Sequence, residues 1–558
     1  MVIKPIIREI KNVNRRRKSR KLRWIYLDLD EPLKERSAPP KNYIQRKLFP
    51  PKLLSLAFLD SYFERISKLR NFEGIIIHLR KLPDGLARIQ SLRDIIVDFR
   101  AKGKKVIVYG HNLGFLEYYV ASAANEICLQ RAGGLDIIGV QMHRLFLKDA
   151  LEKRGYKADV VPISPYKSAG DMFRRTDFSK EDKEQRSAIL DTIFETIVSA
   201  LSTSLNKKEK EVIEIINKAP YTAKDALEKD LINRIISEEE LIEHTRKTYS
   251  KGKKLKILTV ERSLKKLTIP RPKSARKSIA VISVEGTIVD GKSRKPPIKI
   301  PIPIFGDDQA GDQTIVGLIR RAKRDKKIKA VVFHVNSGGG TIVSSEAMRS
   351  AIKELVKKKP LVVYFNDVAA SGGYYIATSA NWVIAQPMTI TGSIGVIGMK
   401  IITQGGLGKQ GINREYIRRG ERAGLFSPDK PFSEEERKLV FDEINSLYDI
   451  FLGHVGEFRK MERKQFEKHC GGRVWSGRDA LEIGLIDELG NLKQAINKAA
   501  ELAKVKPENC RIEDIYKAKL DVPIWYKDGQ IDLFMDEWLE PYKKTHMWMI
   551  LPEKINIE

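Results

Sequence analysis

The chain has 558 residues, 42% hydrophobic and 31% charged, a balance that excludes an intrinsically disordered polymer and supplies apolar material for large cores. Three widely spaced cysteines, Cys128, Cys470 and Cys510, exclude a disulfide framework and a CxxC metal site and fit a reducing compartment. A formal net charge of +30 calls for an anionic partner or surface, for which nucleic acid and anionic membrane both qualify.

From the N-terminus, residues 1–22 form a basic arm whose densest run is Arg15-Arg16-Arg17-Lys18. It has neither the apolar core nor the small-residue cleavage site of a secretory signal, and no run of about 18 apolar residues follows anywhere, so a cytoplasmic chain without a spanning segment is expected. Ile75–Leu79 and Lys105–Tyr109 read as buried strands of a parallel sheet. Ser250–Lys277, rich in Lys, Arg and Pro, reads as a linker with one strand at most. Ile279–Val284, Val331–Val335 and Pro360–Tyr364 are further strands, and Ser344–Lys359 is a charged helical segment. Strands alternating with helices predict βαβ units. Residues 506–558 form an extension carrying Trp525, Tyr526, Phe534, Trp538, Tyr542 and Trp548, expected to pack on the protein or dock at a membrane interface.

The chain repeats itself. Tyr118-Tyr119-Val120-Ala121-Ser122-Ala123-Ala124-Asn125 returns as Tyr374-Tyr375-Ile376-Ala377-Thr378-Ser379-Ala380-Asn381, and Ile75–Leu79 returns as Val331–Val335 at the same offset. Asp225-Ala226-Leu227-Glu228 returns as Asp479-Ala480-Leu481-Glu482. This is a domain-sized duplication rather than a solenoid. The expected organisation is an arm at 1–22, repeats at 23–248 and 278–505 joined by a linker at 249–277, and the extension.

The second repeat carries Asn336-Ser337-Gly338-Gly339-Gly340, Ala369-Ala370-Ser371-Gly372-Gly373-Tyr374-Tyr375 and Thr391-Gly392-Ser393-Ile394-Gly395, each after a predicted strand. A serine among small residues at a strand-to-helix turn presents its hydroxyl freely, and glycines let backbone N–H groups approach an oxyanion. Gly339 or Gly340, with Gly372, are the candidate donors. These three blocks, in this order, resemble the C-terminal half of the long, two-repeat form of signal peptide peptidase A (protease IV). The family usually has Pro where this chain has Gly338. Tyr166-Lys167-Ser168-Ala169 in the first repeat resembles the block that holds the family's general-base lysine.

The resemblance implies tandem duplicated ClpP/crotonase-like α/β domains, Ser371 as nucleophile, Lys167 as general base and Ser393 as the hydroxyl that orients the lysine. It implies a homotetramer that degrades cleaved signal peptides or similar small-residue or apolar peptides, with no metal or cofactor. Alignment of the repeats adds that Ser371 corresponds to Phe115, Lys167 roughly to Arg422, and Gly338–Gly340 to Leu82-Pro83-Asp84, so neither repeat holds both groups. Alternatives are a crotonase-fold acyl-CoA enzyme and a non-catalytic scaffold. His78 and His334, at equivalent strand positions, read as core. Gly286–Ser293 matches a phosphate-binding loop, but Pro296, Pro297, Pro301 and Pro303 forbid the helix it needs. The arm lacks a nucleic-acid-binding signature, which leaves two expected readings, a solvated tail and peripheral contact with anionic lipid at the inner face of the membrane.

Overall fold

The computed structural model describes residues 3–37, 54–250, 255–270, 274–295, 308–516 and 547–551. The β-branched runs form strands in two units. The first unit is Met1–Val140 with Ile193–Pro272, and the second is Gln141–Thr192 with Lys273–Glu558. The segment holding Lys167 thus folds with the second repeat's residues.

In the first unit six strands run in the order Ile257–Thr259, Trp24–Leu29, Gly74–Leu79, Lys105–Gly110, Glu126–Leu129 and Arg234–Ile235, all parallel. Trp24, Ile76, Ile107 and Tyr109 share a buried cluster with Leu241 of the helix Glu238–Ser250. The stretch read as a linker contributes the strand Ile257–Thr259 and a short helix, Val260–Leu264, capped by Thr259. The basic arm is a helix, Ile3–Ser19. Asn12 ties it down by exchanging two hydrogen bonds with the Ile269 backbone, at 3.0 and 2.7 Å, so a free solvated tail is ruled out over this stretch.

The main sheet of the second unit runs Val474–Ser476, Ile390–Gly392, Leu361–Ala370, Ile328–Ser337, Ser274–Glu285 and Cys510–Asp514, and only its Val474–Ser476 edge is antiparallel. Both faces are covered: Val331, Phe333, Val363 and Phe365 point into one core, and Val332, Val362 and Tyr364 into another. That is why these strands read as unbroken apolar runs. A second sheet runs Gln309–Gly311, Thr287–Val289, Gly339–Thr341, Met547–Ile550, Ile397–Ile402 and Lys157–Pro162. Its strand Met547–Ile550 lies antiparallel to both neighbours.

The duplication persists in the helices. Lys180–Leu205 and Glu434–Arg459 both have 26 residues, and Ser433 and Glu436 close a capping box on the latter. The segment expected as a helix over 344–359 is a helix over Ile342–Val356, because Thr341 ends the preceding strand and Pro360 cannot extend the far end. After Gly286 comes the strand Thr287–Val289, and no helix opens at Gly291-Lys292-Ser293; the four prolines lie outside the described residues. One described helix, Lys180–Leu205, has the length and composition of a membrane span, but Ile189, Ile193, Ile197 and Leu201 bury its apolar stripe within the protein. The three cysteines are free and buried.

Candidate active site

The strand Leu361–Ala370 ends at Ser371, which turns the chain into the short helix Gly372–Tyr375. Ser371 has φ +55° and ψ −114°, a conformation that costs a side-chain-bearing residue on the order of 1–3 kcal/mol. The Ser371 N–H holds the turn by donating to the Gly392 carbonyl at 2.8 Å. The turn sets a fully buried hydroxyl between two partners: Ser371 Oγ lies 2.7 Å from Lys167 Nζ and 3.4 Å from the Gly395 carbonyl oxygen.

Lys167 is buried, and its Nζ also meets Ser393 Oγ and the Ser393 carbonyl oxygen, each at 2.9 Å. Burial pushes its amine well below the ordinary value of 10.5. A neutral amine has two N–H groups and one lone pair, which fits this set. The Ser393 carbonyl can only accept, Ser393 Oγ accepts the second N–H, and the lone pair faces the Ser371 hydroxyl.

The lysine loop is fixed from below. Ser168 Oγ donates to Asp182 Oδ1 at 2.7 Å, and Arg144 donates to Asp182 Oδ2 at 2.8 Å and to the Ser168 carbonyl at 3.0 Å. Burial raises the Asp182 carboxyl, but Arg186 and Arg144 overcome it and hold the group ionised below its usual range. Gln185 bridges further, donating to the Tyr166 carbonyl at 3.2 Å and accepting from Val474 N at 3.0 Å. From above, Gly472 (φ +91°) closes over the lysine: a Cβ there would lie 2.5 Å from Lys167 Cβ. Neither Asp182 nor Gly472 was singled out from the sequence. The Gly471-Gly472 pair is a visible signal, whereas nothing in the sequence marks Asp182.

The three glycines named as oxyanion donors converge beside Ser371. A Cβ on Gly339 (φ +106°) would lie 2.6 Å from Gly372 N, and one on Gly372 would lie 3.0 Å from Gly340 N. Gly339 N donates to Ser337 Oγ at 3.2 Å. Gly338, where a proline was the family expectation, accepts from Leu551 N at 2.6 Å and would meet the Leu551 carbonyl with any Cβ. In the first repeat, Phe115 is buried at the equivalent turn; Arg422 sits on an exposed turn and takes no part in this group. His334 is also buried, hydrogen-bonded to Asn366 at 2.8 Å. An open cleft of about 380 Å³ lies beside the lysine loop, lined by Ile163, Ser164, Pro165 and Arg174 among others.

A buried serine hydroxyl on a strained strand-to-helix turn, set against a buried lysine amine in a duplicated, mostly parallel α/β architecture, is the arrangement of a serine hydrolase. The model of "Peptidase family S49" matches residues 98–252 and 353–506, one match in each repeat, and the chain belongs to that family. It is similar to "Serine protease SPPA, chloroplastic" of Arabidopsis thaliana, 32% identical over 457 residues, covering 81% of this chain and 66% of that protein. It is similar to "Protease 4" of Haemophilus influenzae, 30% identical over 476 residues, covering 83% of this chain and 74% of that one. A "Putative signal peptide peptidase SppA" of Enterococcus faecium is 32% identical over 236 residues, covering 42% of this chain and 65% of that protein. The first of these relatives is matched over just under two thirds of its length.

Proposed function

We propose that the chain hydrolyses peptides with Ser371 as nucleophile and Lys167 as general base, oriented by Ser393. The observation that carries the reading is the 2.7 Å approach of a buried, carboxylate-free lysine amine to the serine hydroxyl. In acylation, Ser371 Oγ bonds to the scissile carbonyl carbon while its proton passes to Lys167 Nζ. The oxyanion is held by N–H groups of Gly340 and Gly372, since Gly339 N is engaged with Ser337. The lysine then protonates the leaving amine. Water, deprotonated by the neutral amine, cleaves the acyl-enzyme.

The preferred substrates are cleaved signal peptides and similar extended segments with small or apolar residues. Two things support this: the resemblance to signal peptide peptidases, and the strand Met547–Ile550, which pairs with Gly339–Thr341 and Ile397–Gly398 as an extended peptide would. A homotetramer follows from the family resemblance. The arm helix, with ten Lys or Arg against one Glu in residues 1–23 and with Ile7, Ile10 and Val13 exposed, supports reversible attachment to anionic lipid at the inner face of the membrane.

Ser371→Ala and Lys167→Ala are each expected to lower turnover of a small-residue peptide ester by about 10⁴-fold or more, because groups that act as a unit fail together. Arg422→Ala stays at wild-type turnover. Wild-type turnover by Lys167→Ala would remove the lysine from the mechanism.

A further inference from the structure

The first unit holds a second cluster of chemistry-bearing side chains that the peptidase reading does not use. His78 is fully buried in the strand Gly74–Leu79, beside Tyr26 of the neighbouring strand. The single hydroxyl proton of Tyr26 goes to Glu238 Oε1 at 2.9 Å. The 2.7 Å contact between Tyr26 Oη and His78 Nδ1 is therefore made by the imidazole N–H. The neutral ring is left with a bare lone pair on Nε2, and that atom is buried with no hydrogen-bond partner among the described residues. A buried, unpaired acceptor is costly and calls for an explanation.

The other repeat supplies the comparison. His334 pairs in register with Tyr364, as His78 does with Tyr109, so His111 stands where the second repeat has Asn366. Asn366 Nδ2 satisfies His334 Nε2 at 2.8 Å. In the first repeat an imidazole replaces that amide, its ring centre 5.3 Å from that of His78. One ligand atom from each of His78, His111 and Glu238 lies within 4.8 Å of the others. A cation with ligand bonds of about 2.0–2.2 Å needs them closer than about 4.4 Å. The exposed His111 can close that gap by rotamer change around the fixed His78, with Glu238 kept in place by Tyr26. Arg80 donates to Glu238 Oε2 at 3.2 Å and to Asp28 Oδ1 at 3.0 Å, so two carboxylates outweigh its charge.

We propose that His78, His111 and Glu238 form a binding site in the first unit for a late first-row divalent cation such as Zn²⁺. Two imidazoles and a carboxylate suit such an ion and leave a coordination position open to solvent. Tyr26 fixes the His78 ring and tautomer, as hydrogen bonds behind metal ligands do.

The test is Zn²⁺ titration of the chelator-treated full-length chain by calorimetry, with Co²⁺ absorption as a report on geometry. The expected result is one Zn²⁺ per chain and a tetrahedral Co²⁺ spectrum. His111→Asn, which installs the second repeat's own pairing at an exposed position, is expected to weaken Zn²⁺ binding by about 100-fold or more, with fold and peptide turnover unchanged. Tyr26→Phe is expected to weaken it by about 10–100-fold. Equal stoichiometry and affinity in wild type and His111→Asn, or no uptake by wild type, would overturn the site.

Discussion

As the proposed base, Lys167 depends on surroundings that refuse a charge. Its three polar partners are two hydroxyl oxygens and a carbonyl, and burial alone drives its amine downward. Turnover therefore rises with pH through this depressed value as the amine loses its proton, and that limb disappears in Lys167→Ala. Stability carries the same signature. Between the depressed value and 10.5 the unfolded chain binds more protons than the folded one, so folding gains with rising pH across that window. Lys167→Met removes that slope, and its stability relative to wild type is highest at the low-pH end of that window and falls toward pH 10.5 in denaturant titrations. Gly472→Ala tests the lysine's position. Positive φ and a Cβ 2.5 Å from Lys167 Cβ force the side chain to move, so activity falls by at least about 10²-fold, the loss that a displacement of about 1 Å brings, while circular dichroism stays native.

At the level of elements, the site depends on two segments that meet from distant parts of the chain. The Asp182 carboxylate holds the lysine loop through Ser168 and Arg144, in a pair whose side chains are 0% and 2% exposed. Asp182→Ala removes the carboxylate of a buried ion pair, and a loss of about 3–5 kcal/mol in unfolding free energy is expected. The strand Met547–Ile550 occupies the edge of Gly339–Thr341, packing Trp548 and Ile550 against Ala169 and Ile397. Deleting residues 547–558 frees that edge, and a lower KM for extended peptides with unchanged turnover of a minimal ester is the expected outcome. Much of this was legible beforehand. The blocks around Ser371, Gly339 and Ser393 could be read because three small-residue motifs, each after a predicted strand, stand in the order that the family resemblance shares; any one alone reads equally well as close packing. The contribution of Lys157–Pro162 to the second unit's sheet was not legible, because strand pairing across more than 200 residues leaves no local periodicity. Asp182 stayed hidden for a related reason: in sequence it is one more charged residue at the start of a charged helix.

For the whole molecule, duplication accounts for the division of labour that the proposed mechanism requires. Each repeat builds a parallel sheet and a helix of 26 residues, yet the serine turn survives in one copy and the lysine block in the other. Charge acts at the same scale. If the arm holds the chain to anionic lipid, vesicle sedimentation at low salt will be lost on deleting residues 1–22 and on raising salt, since each basic residue contributes about 1 kcal/mol that is screened within about 8 Å. The most direct measurement for the central claim is labelling with a serine-directed fluorophosphonate, read by intact mass and peptide mapping across pH. The account predicts a single adduct on Ser371, forming at a rate that rises with pH through a value well below 10.5 and is lost in Lys167→Ala. An adduct on another residue, or Ser371 labelling at the wild-type rate in Lys167→Ala, would contradict it.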